Sequence, residues 1–452
     1  MNIKLFTAIS ALALLASCTE NPDLAFQQQE TQEKAFVSEQ SIIADICNYI
    51  NSERKVTSKS TSLNLLEPYI YNGDTVMYIA NYDEGWDLFS TDHRVPMIIA
   101  SCNTGNYNES DLSPALSAYL QTFADDIYQV KSSQTAEAAT YGLWNSVYIK
   151  NEDIDLDEII VDESAVGTMP SDDGYWTLID RTSTTSEETS TKLTETLWGQ
   201  SSPWNAYTPF KSDGVTHSVA GCEAVATSQF LYFTHYNCAT PTGTVTDAVY
   251  DSDENEYAFS GFSESVWDEM ALSKSSSGDT DAVAVFIAYI GQKINTNYTD
   301  TTSSAKIKDA CTVINELGGF SYEVQDEMDY DDILENLKDG MIVYARATSS
   351  SGGHAFLIDR YTIQTTEYTS TYGWVGTDTN GNDTNEYDEE GNIVGYSFTY
   401  QSVSSTISKY VYMNWGWDGY QDDVMLTASD AADWEVSSYN YNKLRKYLKQ
   451  NN

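Results

Sequence analysis

The sequence predicts an α+β protein in two units: a small α+β domain over residues 36–131 and a larger mixed domain over 195–452. Three observations lead there. An early block alternates short aromatic and β-branched runs with two amphipathic helical patterns. A later tract from Arg181 to Lys192, almost wholly Thr, Ser and Glu, has too little apolar content to hold a core. From Leu197 onward the chain is aromatic-rich and punctuated by Gly, with strand and helix patterns interleaved. A length of 452 residues suits two or three domains. With 68 Asp and Glu against 23 Lys and Arg, the formal charge of −45 excludes nucleic acid as a partner, since its phosphates would be repelled.

The N-terminus is read first. Lys4 precedes an apolar run, Leu5 to Leu15, that is too short to span a bilayer and sits like the h-region of a secretory signal. Its ending, Leu15-Ala16-Ser17-Cys18, is similar to a bacterial lipobox. That resemblance implies a signal over residues 1–18, a lipid on Cys18, and a place on the bacterial cell envelope, at the outer membrane. The membrane is then met only through the lipid anchor. A plain signal cut near Ala16 is the alternative. Residues 19–35, polar and Gln-rich, read as a tether. Export leaves Cys47, Cys102, Cys222, Cys238 and Cys311, whose wide spacing gives no zinc pattern and no disulfide framework. Mostly buried free thiols are expected, and neither metal nor cofactor is implied.

In the first unit, Ile43, Ile46 and Ile50 share one face of a helix over Ser38–Asn51. Strand patterns follow at 69–71, at 75–82 after the turn Asn72-Gly73-Asp74, at 86–89 and at 96–100. Ser113 caps a second helix with Pro114 at its first position, and Leu116, Leu120, Phe123, Ile127 and Val130 form its core stripe. Residues 132–194 read as a linker, with the Thr/Ser/Glu tract exposed to proteases.

The second unit shows helices at 222–233, 282–293, 304–317 and 332–338, and strands at 341–347, 355–359 and 410–414. A polar insertion over 365–405 separates the last two strands, and the end, 439–449, reads as a basic surface helix. Within the insertion, Asp378, Asn380, Asn382 and Glu389 follow a calcium-loop spacing, but Asp383 stands where the loop needs Gly, so a polar hairpin is the better reading.

Chemistry centres on Cys222. Gly221 frees the backbone before it, and a cysteine at a helix N-terminus gains thiolate character from the macrodipole. The bland alternative is a small buried residue in a helix's first turn. Of the histidines in this unit, His235 is about 20 Å along the same helix, out of reach, and His217, just upstream of Cys222, has no visible orienting partner. His354, after Gly352-Gly353 and at the start of an apolar strand, suits a general base. Asn414 is the expected orienter of its ring, with Trp415 and Trp417 shielding that bond. Gln200 offers a side-chain donor for an oxyanion hole beside the backbone N–H of Cys222.

Four stretches together resemble the streptopain (C10) family of papain-like cysteine peptidases: Trp198-Gly199-Gln200 with Pro203; Gly221-Cys222 with Ala224, Ala226 and Gln229; Gly353-His354-Ala355-Phe356; and Asn414-Trp415-Gly416-Trp417. Their order is the papain-type order. The first unit, through 68–131 and Phe89-Ser90-Thr91-Asp92-His93-Arg94, is similar to the family's inhibitory propeptide. The resemblance implies a papain-like catalytic domain after a propeptide and an exported endopeptidase zymogen. Its partners would be protein or peptide substrates and its own propeptide in cis. The competing expectation is a catalytically silent envelope lipoprotein that binds peptides or inhibits another protease. Two departures mark this chain: the insertion between His354 and Asn414, and Asp418 where the family has a small residue.

Overall fold

The computed structural model describes residues 39–51, 62–132, 159–161, 174–238, 248–250, 256–258, 264–349, 352–377, 381–388, 391, 393–429 and 445–451. Cys18, the tether and Ser38 lie outside them, as do Asp378, Asn380 and Glu389. No helix among the described residues is long and apolar enough to cross a membrane.

The first unit begins with α1 (Glu39–Asn51), whose Ile42, Ile43, Ile46 and Ile50 are buried. An antiparallel meander follows: β1 (Leu63–Tyr71), β2 (Asp74–Tyr82), β3 (Trp86–Ser90) and β4 (Ile98–Cys102). Asn72 and Gly73 both take positive φ, 50° and 91°, as a two-residue hairpin turn requires. Strand β2 serves two cores by alternation: Tyr78, Ala80 and Tyr82 pack with α1, whereas Met77 and Ile79 belong to the opposite core. Helix α2 (Pro114–Ser132) covers that opposite face. Its first turn is capped by Ser113 Oγ, which accepts from the Leu116 N–H at 3.1 Å. Arg94 grips Asp92 through Nε at 2.8 Å and Nη2 at 2.7 Å, and Nη2 also donates to the Val130 carbonyl at 2.7 Å. The β3–β4 loop is thereby tied to the last turn of α2.

The second unit opens with β5 (Ile159–Val161) and β6 (Tyr175–Thr189), then α3 (Cys222–Asn237) and a small hairpin, β7 (Ala248–Tyr250) and β8 (Glu256–Ala258). Helices α4 (Glu264–Glu269) and α5 (Thr280–Lys293), the pair β9 (Asn297–Tyr298) and β10 (Ser303–Ser304), and α6 (Ile307–Gly318) come next. They lead to β11 (Tyr322–Gln325), α7 (Tyr330–Lys338), β12 (Val343–Ser349) and β13 (Gly352–Val375). The chain closes with β14 (Asn385–Tyr387), β15 (Ile393–Tyr396), β16 (Phe398–Asn414), β17 (Met425–Thr427) and β18 (Arg445–Gln450). Helix α3 is buried around most of its circumference, packing with α5, α6 and the strands through Phe230, Phe286, Ile287, Ile314, Tyr344 and Leu357.

One sheet runs through both units, in the order β1-β2-β3-β4-β17-β16-β13-β12-β18-β11. The join is narrow: Met425 opposes Ser101 and Leu426 opposes Ala100. Behind it a single core continues across the boundary, so that Leu116, Tyr119 and Phe123 of α2 share a cluster with Phe356, Val411, Trp415 and Tyr447.

Three elements depart from the sequence expectation. The Thr/Ser/Glu tract is not an unstructured linker: it lies in β6, paired with β13 from Thr189↔Thr362 to Tyr175↔Val375. Threonine suits an extended, half-exposed strand, and the backbone bonds come from a partner far away in sequence. The polar insertion is a hairpin, but β13 and β16 carry it as a ribbon of 24 and 17 residues with its own small core of Trp176, Tyr372, Trp374, Phe398 and Tyr400. The C-terminal segment is a strand where a helix was expected. In β18, Tyr447 enters one core and Leu448 the other, a period of two. Its cations meet carboxylates: Arg445 pairs with Asp126, Lys446 with Asp326 at 2.5 Å, and Lys449 with Asp332 at 3.0 Å.

Candidate active site

Cys222 is the first residue of α3, reached through Gly221 at φ 92°, where a Cβ would stand 3.3 Å from that of Ser303. The Trp198–Pro203 loop is bound to this turn by the Ala220 N–H, which donates to the Gln200 carbonyl at 2.9 Å. Gln200 is therefore carried next to the nucleophile turn. Asp418 holds the same loop from the other side. Its backbone N–H donates to the Trp198 carbonyl at 3.3 Å, and its carboxylate accepts from Trp204 Nε1 at 2.6 Å and pairs with Lys274 at 2.7 Å. Gly199 has no Cβ because that atom would fall 2.7 Å from the Asp418 carboxylate.

His354 stands at the start of β13, opposite Ala347 of β12, and Asn414 ends β16, opposite Leu357. The structure thus gathers Cys222, His354, Asn414 and Gln200 at one end of the central sheet. It does not join Asn414 to the imidazole as expected. Asn414, fully buried, gives Nδ2 to Thr194 Oγ1 at 3.1 Å, to the Thr196 carbonyl at 2.8 Å and to Gln229 Oε1 at 3.3 Å. Its Oδ1 accepts from Gln229 Nε2 at 3.2 Å and the Gly416 N–H at 3.1 Å. The imidazole is held one residue further on, with Nε2 2.8 Å from the Trp415 carbonyl. Trp415 does roof the site, its ring centroid 6.4 Å from that of His354, and Trp417 packs at the edge of the same cluster.

The other two histidines of this unit are held elsewhere, and His217 has the partner that the sequence did not show. His217 Nδ1 meets the Thr208 carbonyl, and His235 stacks on Trp267 at 4.4 Å. Cys102, Cys222, Cys238 and Cys311 are free thiols. No cluster of metal-binding side chains occurs among the described residues.

Two residues of the site escaped the sequence reading. Glu223 is 2% exposed and accepts from Cys222 Sγ at 3.0 Å through Oε2. Its Oε1 accepts from Arg346 Nε of β12 at 3.0 Å. Gly353 leaves room for that guanidinium, since a Cβ there would be 2.4 Å from Arg346 Nη2. The available signal was a carboxylate at a variable position of an otherwise apolar helical motif. Burial first, then the Glu223 carboxylate, pushes the thiol well above its ordinary value. Both outweigh the helix dipole. Burial lowers His354 to about 4, with Arg346 acting the same way against the bond to Trp415. Thiol and imidazole are both neutral at pH 7 in this form.

The first unit lies against this assembly. Tyr119 of α2 meets Phe356 at 5.5 Å and Trp415 at 5.7 Å, edge to face. The Ser113 N–H donates to Gln421 Oε1 at 2.7 Å, and the Tyr420 hydroxyl donates to the Asp111 carbonyl at 2.7 Å, so the Trp415–Asp422 loop is clamped from outside.

Residues 198–381 match the sequence model of the peptidase C10 family. No curated protein sequence matches the chain. Among solved structures, a fragment of Prevotella intermedia prointerpain A is similar at 18% identity and a TM-score of 0.49, over 85% of this chain and 97% of that one. The active wild-type interpain A cysteine protease of the same organism is similar at 20% identity and a TM-score of 0.35, over 58% of this chain and 94% of that one. The fold is α+β, in two units that share one sheet. Through residues 198–381 the chain is similar to the peptidase C10 family.

Proposed function

We propose that the chain is an exported cysteine endopeptidase made as a zymogen. The observation that carries this is the placement of Cys222 at the N-terminus of the buried helix α3, with His354 at the start of the neighbouring strand β13. In the working form, the Cys222 thiol gives its proton to His354, and the thiolate attacks the scissile carbonyl. The tetrahedral oxyanion is received by the Cys222 backbone N–H and the Gln200 side chain. Collapse expels the amine, which takes the proton from His354 and leaves a thioester on Cys222. Water, deprotonated by His354, then frees the acid and restores the thiol.

Asn414 acts on the imidazole through the Trp415 backbone that follows it, and Trp415 and Trp417 keep water from the site. The first unit inhibits in cis, where a tethered inhibitor enjoys a high effective concentration. With the lipid on Cys18, cutting the tether releases the catalytic unit from the outer membrane while it activates it.

The test is hydrolysis of an internally quenched peptide blocked at both ends, before and after processing. Wild-type mature enzyme should cleave it, and Cys222→Ala and His354→Ala should each lose nearly all activity. Substantial cleavage by either variant, or cleavage only of peptides with free termini, would sink the endopeptidase reading.

A further inference from the structure

Beyond the nucleophile and its base, the thiol has a second partner built into the fold. We infer that Glu223, fixed by Arg346, is a positioning residue that holds the Cys222 proton and rotamer away from His354 in the closed form, and that release from Glu223 precedes catalysis. This deepens the cysteine-peptidase reading and rests on it for its consequence.

The geometry is specific. The two Glu223 oxygens divide their work: Oε2 accepts from Sγ at 3.0 Å, and Oε1 accepts from Arg346 Nε at 3.0 Å. A carboxylate buried to 2% exposure cannot swing freely, and Arg346 anchors it from the adjacent strand. Sγ makes its hydrogen bond to Glu223 and none to His354, whose Nε2 meets the Trp415 carbonyl at 2.8 Å. The other groups facing the thiol are Tyr344 and Arg346 from β12 and the Ala355 N–H from β13. The Tyr344 hydroxyl lies buried beside Thr227. Among the described residues the anionic group against the sulfur is Glu223.

Proton balance follows. In the closed form the S–H bond is intact and points at the Glu223 carboxylate, which Arg346 holds from its other oxygen. In the working form that same proton moves to His354, giving thiolate and imidazolium, while Glu223 remains paired with Arg346. The position after the nucleophile thus tunes how readily the thiol ionises, with Arg346 limiting the repulsion.

The experiment is the rate of Cys222 alkylation by iodoacetamide in the uncut full-length chain as a function of pH, located by peptide mass mapping. Glu223→Gln should move the half-rate point at least one pH unit lower and speed labelling about tenfold at pH 6.5. Arg346→Met should move it upward, and Arg346→Lys should stay near wild type. A Glu223→Gln profile that coincides with wild type or moves upward overturns the proposal. Should that variant not fold, the S–H stretch in the infrared difference between wild type and Cys222→Ala decides. A band shifted to the low frequency of a thiol donating to a carboxylate supports the bond, and a free-thiol frequency overturns it. Peptide hydrolysis surviving Cys222→Ala would sink the peptidase reading and leave both of these readouts intact.

Discussion

Asn414 and Gln229 face each other amide to amide, exchanging Nδ2 to Oε1 at 3.3 Å and Nε2 to Oδ1 at 3.2 Å. Both are fully buried, and Gln229 Oε1 also accepts from the Trp198 N–H at 3.4 Å. One glutamine of α3 therefore fixes the end of β16 and the loop that carries Gln200. Gln229→Leu should leave the Asn414 amide short of partners and cost about 1–3 kcal/mol. Urea unfolding in a Cys222→Ala background reads the stability, and kcat of the otherwise wild-type enzyme should fall with it.

Acid should loosen the uncut chain through His354. Its value falls from 6.5 to about 4 in the folded form, so between those limits the unfolded chain takes a proton that the buried ring refuses. Stability contributed by the neutral ring is complete above pH 6.5 and declines by about 3 kcal/mol as pH drops to 4. Asp359 works the other way. Burial raises it from 3.8 to about 6, so its contribution is present below pH 3.8 and is lost as pH rises through 6. His354→Gln should remove the first slope and Asp359→Asn the second, each checked by denaturation midpoints from pH 4 to 7.5.

The ion pair of Asp126 on α2 with Arg445 on β18 fastens the first unit to the second. Both side chains are buried, and the Arg445 guanidinium also lies 4.3 Å over the Phe123 ring. Asp126→Ala leaves a buried cation without its carboxylate, at a cost of about 3–5 kcal/mol. The uncut variant should show higher basal hydrolysis and earlier digestion by a trace protease than wild type. Equal inhibition in both would separate this contact from latency.

Activation cleavage should fall upstream of Tyr175. Residues 175–189 are hydrogen-bonded into the sheet, and the strap after them is bound too. Lys192 pairs with Asp422 at 2.9 Å, and Thr194 donates to Asp359. A protease needs an extended, unpaired backbone. The full chain with Cys222→Ala, treated with a trace of active enzyme, should yield a new N-terminus between 133 and 174, outside the paired residues 159–161. A cut inside 181–194 would contradict this.

The candidate site positions stand out in the sequence because each lies in a short motif whose chemistry is local: Cys222 at a helix start, His354 at a strand start, Asn414 before two tryptophans. The same holds for α2, whose cap and core stripe lie within one segment. What stayed hidden depends on distant partners. Nothing within Arg181–Thr189 reports that β13 lies alongside, and a Thr/Ser/Glu run reads as linker until its pairing is known. Residues 445–450 contain few apolar positions, and their alternation matters only because β12 and β11 flank them. Nothing near Glu223 in the sequence reports that Arg346, on a distant strand, lies against it. Asn414 was assigned its bond to His354 by motif, yet the backbone turn puts the Trp415 carbonyl there instead.

The seam between the units consists of two residue pairs, Met425 with Ser101 and Leu426 with Ala100. Departure of the first unit turns β17 from an interior strand into an outer one. A bare strand edge invites other chains to pair, and length is what makes that dangerous. At three residues, β17 offers too short a template to recruit a neighbour. The width of this join therefore has two consequences: few backbone bonds hold the sheet together across the boundary, and little sticky backbone would be left on β17 without the first unit.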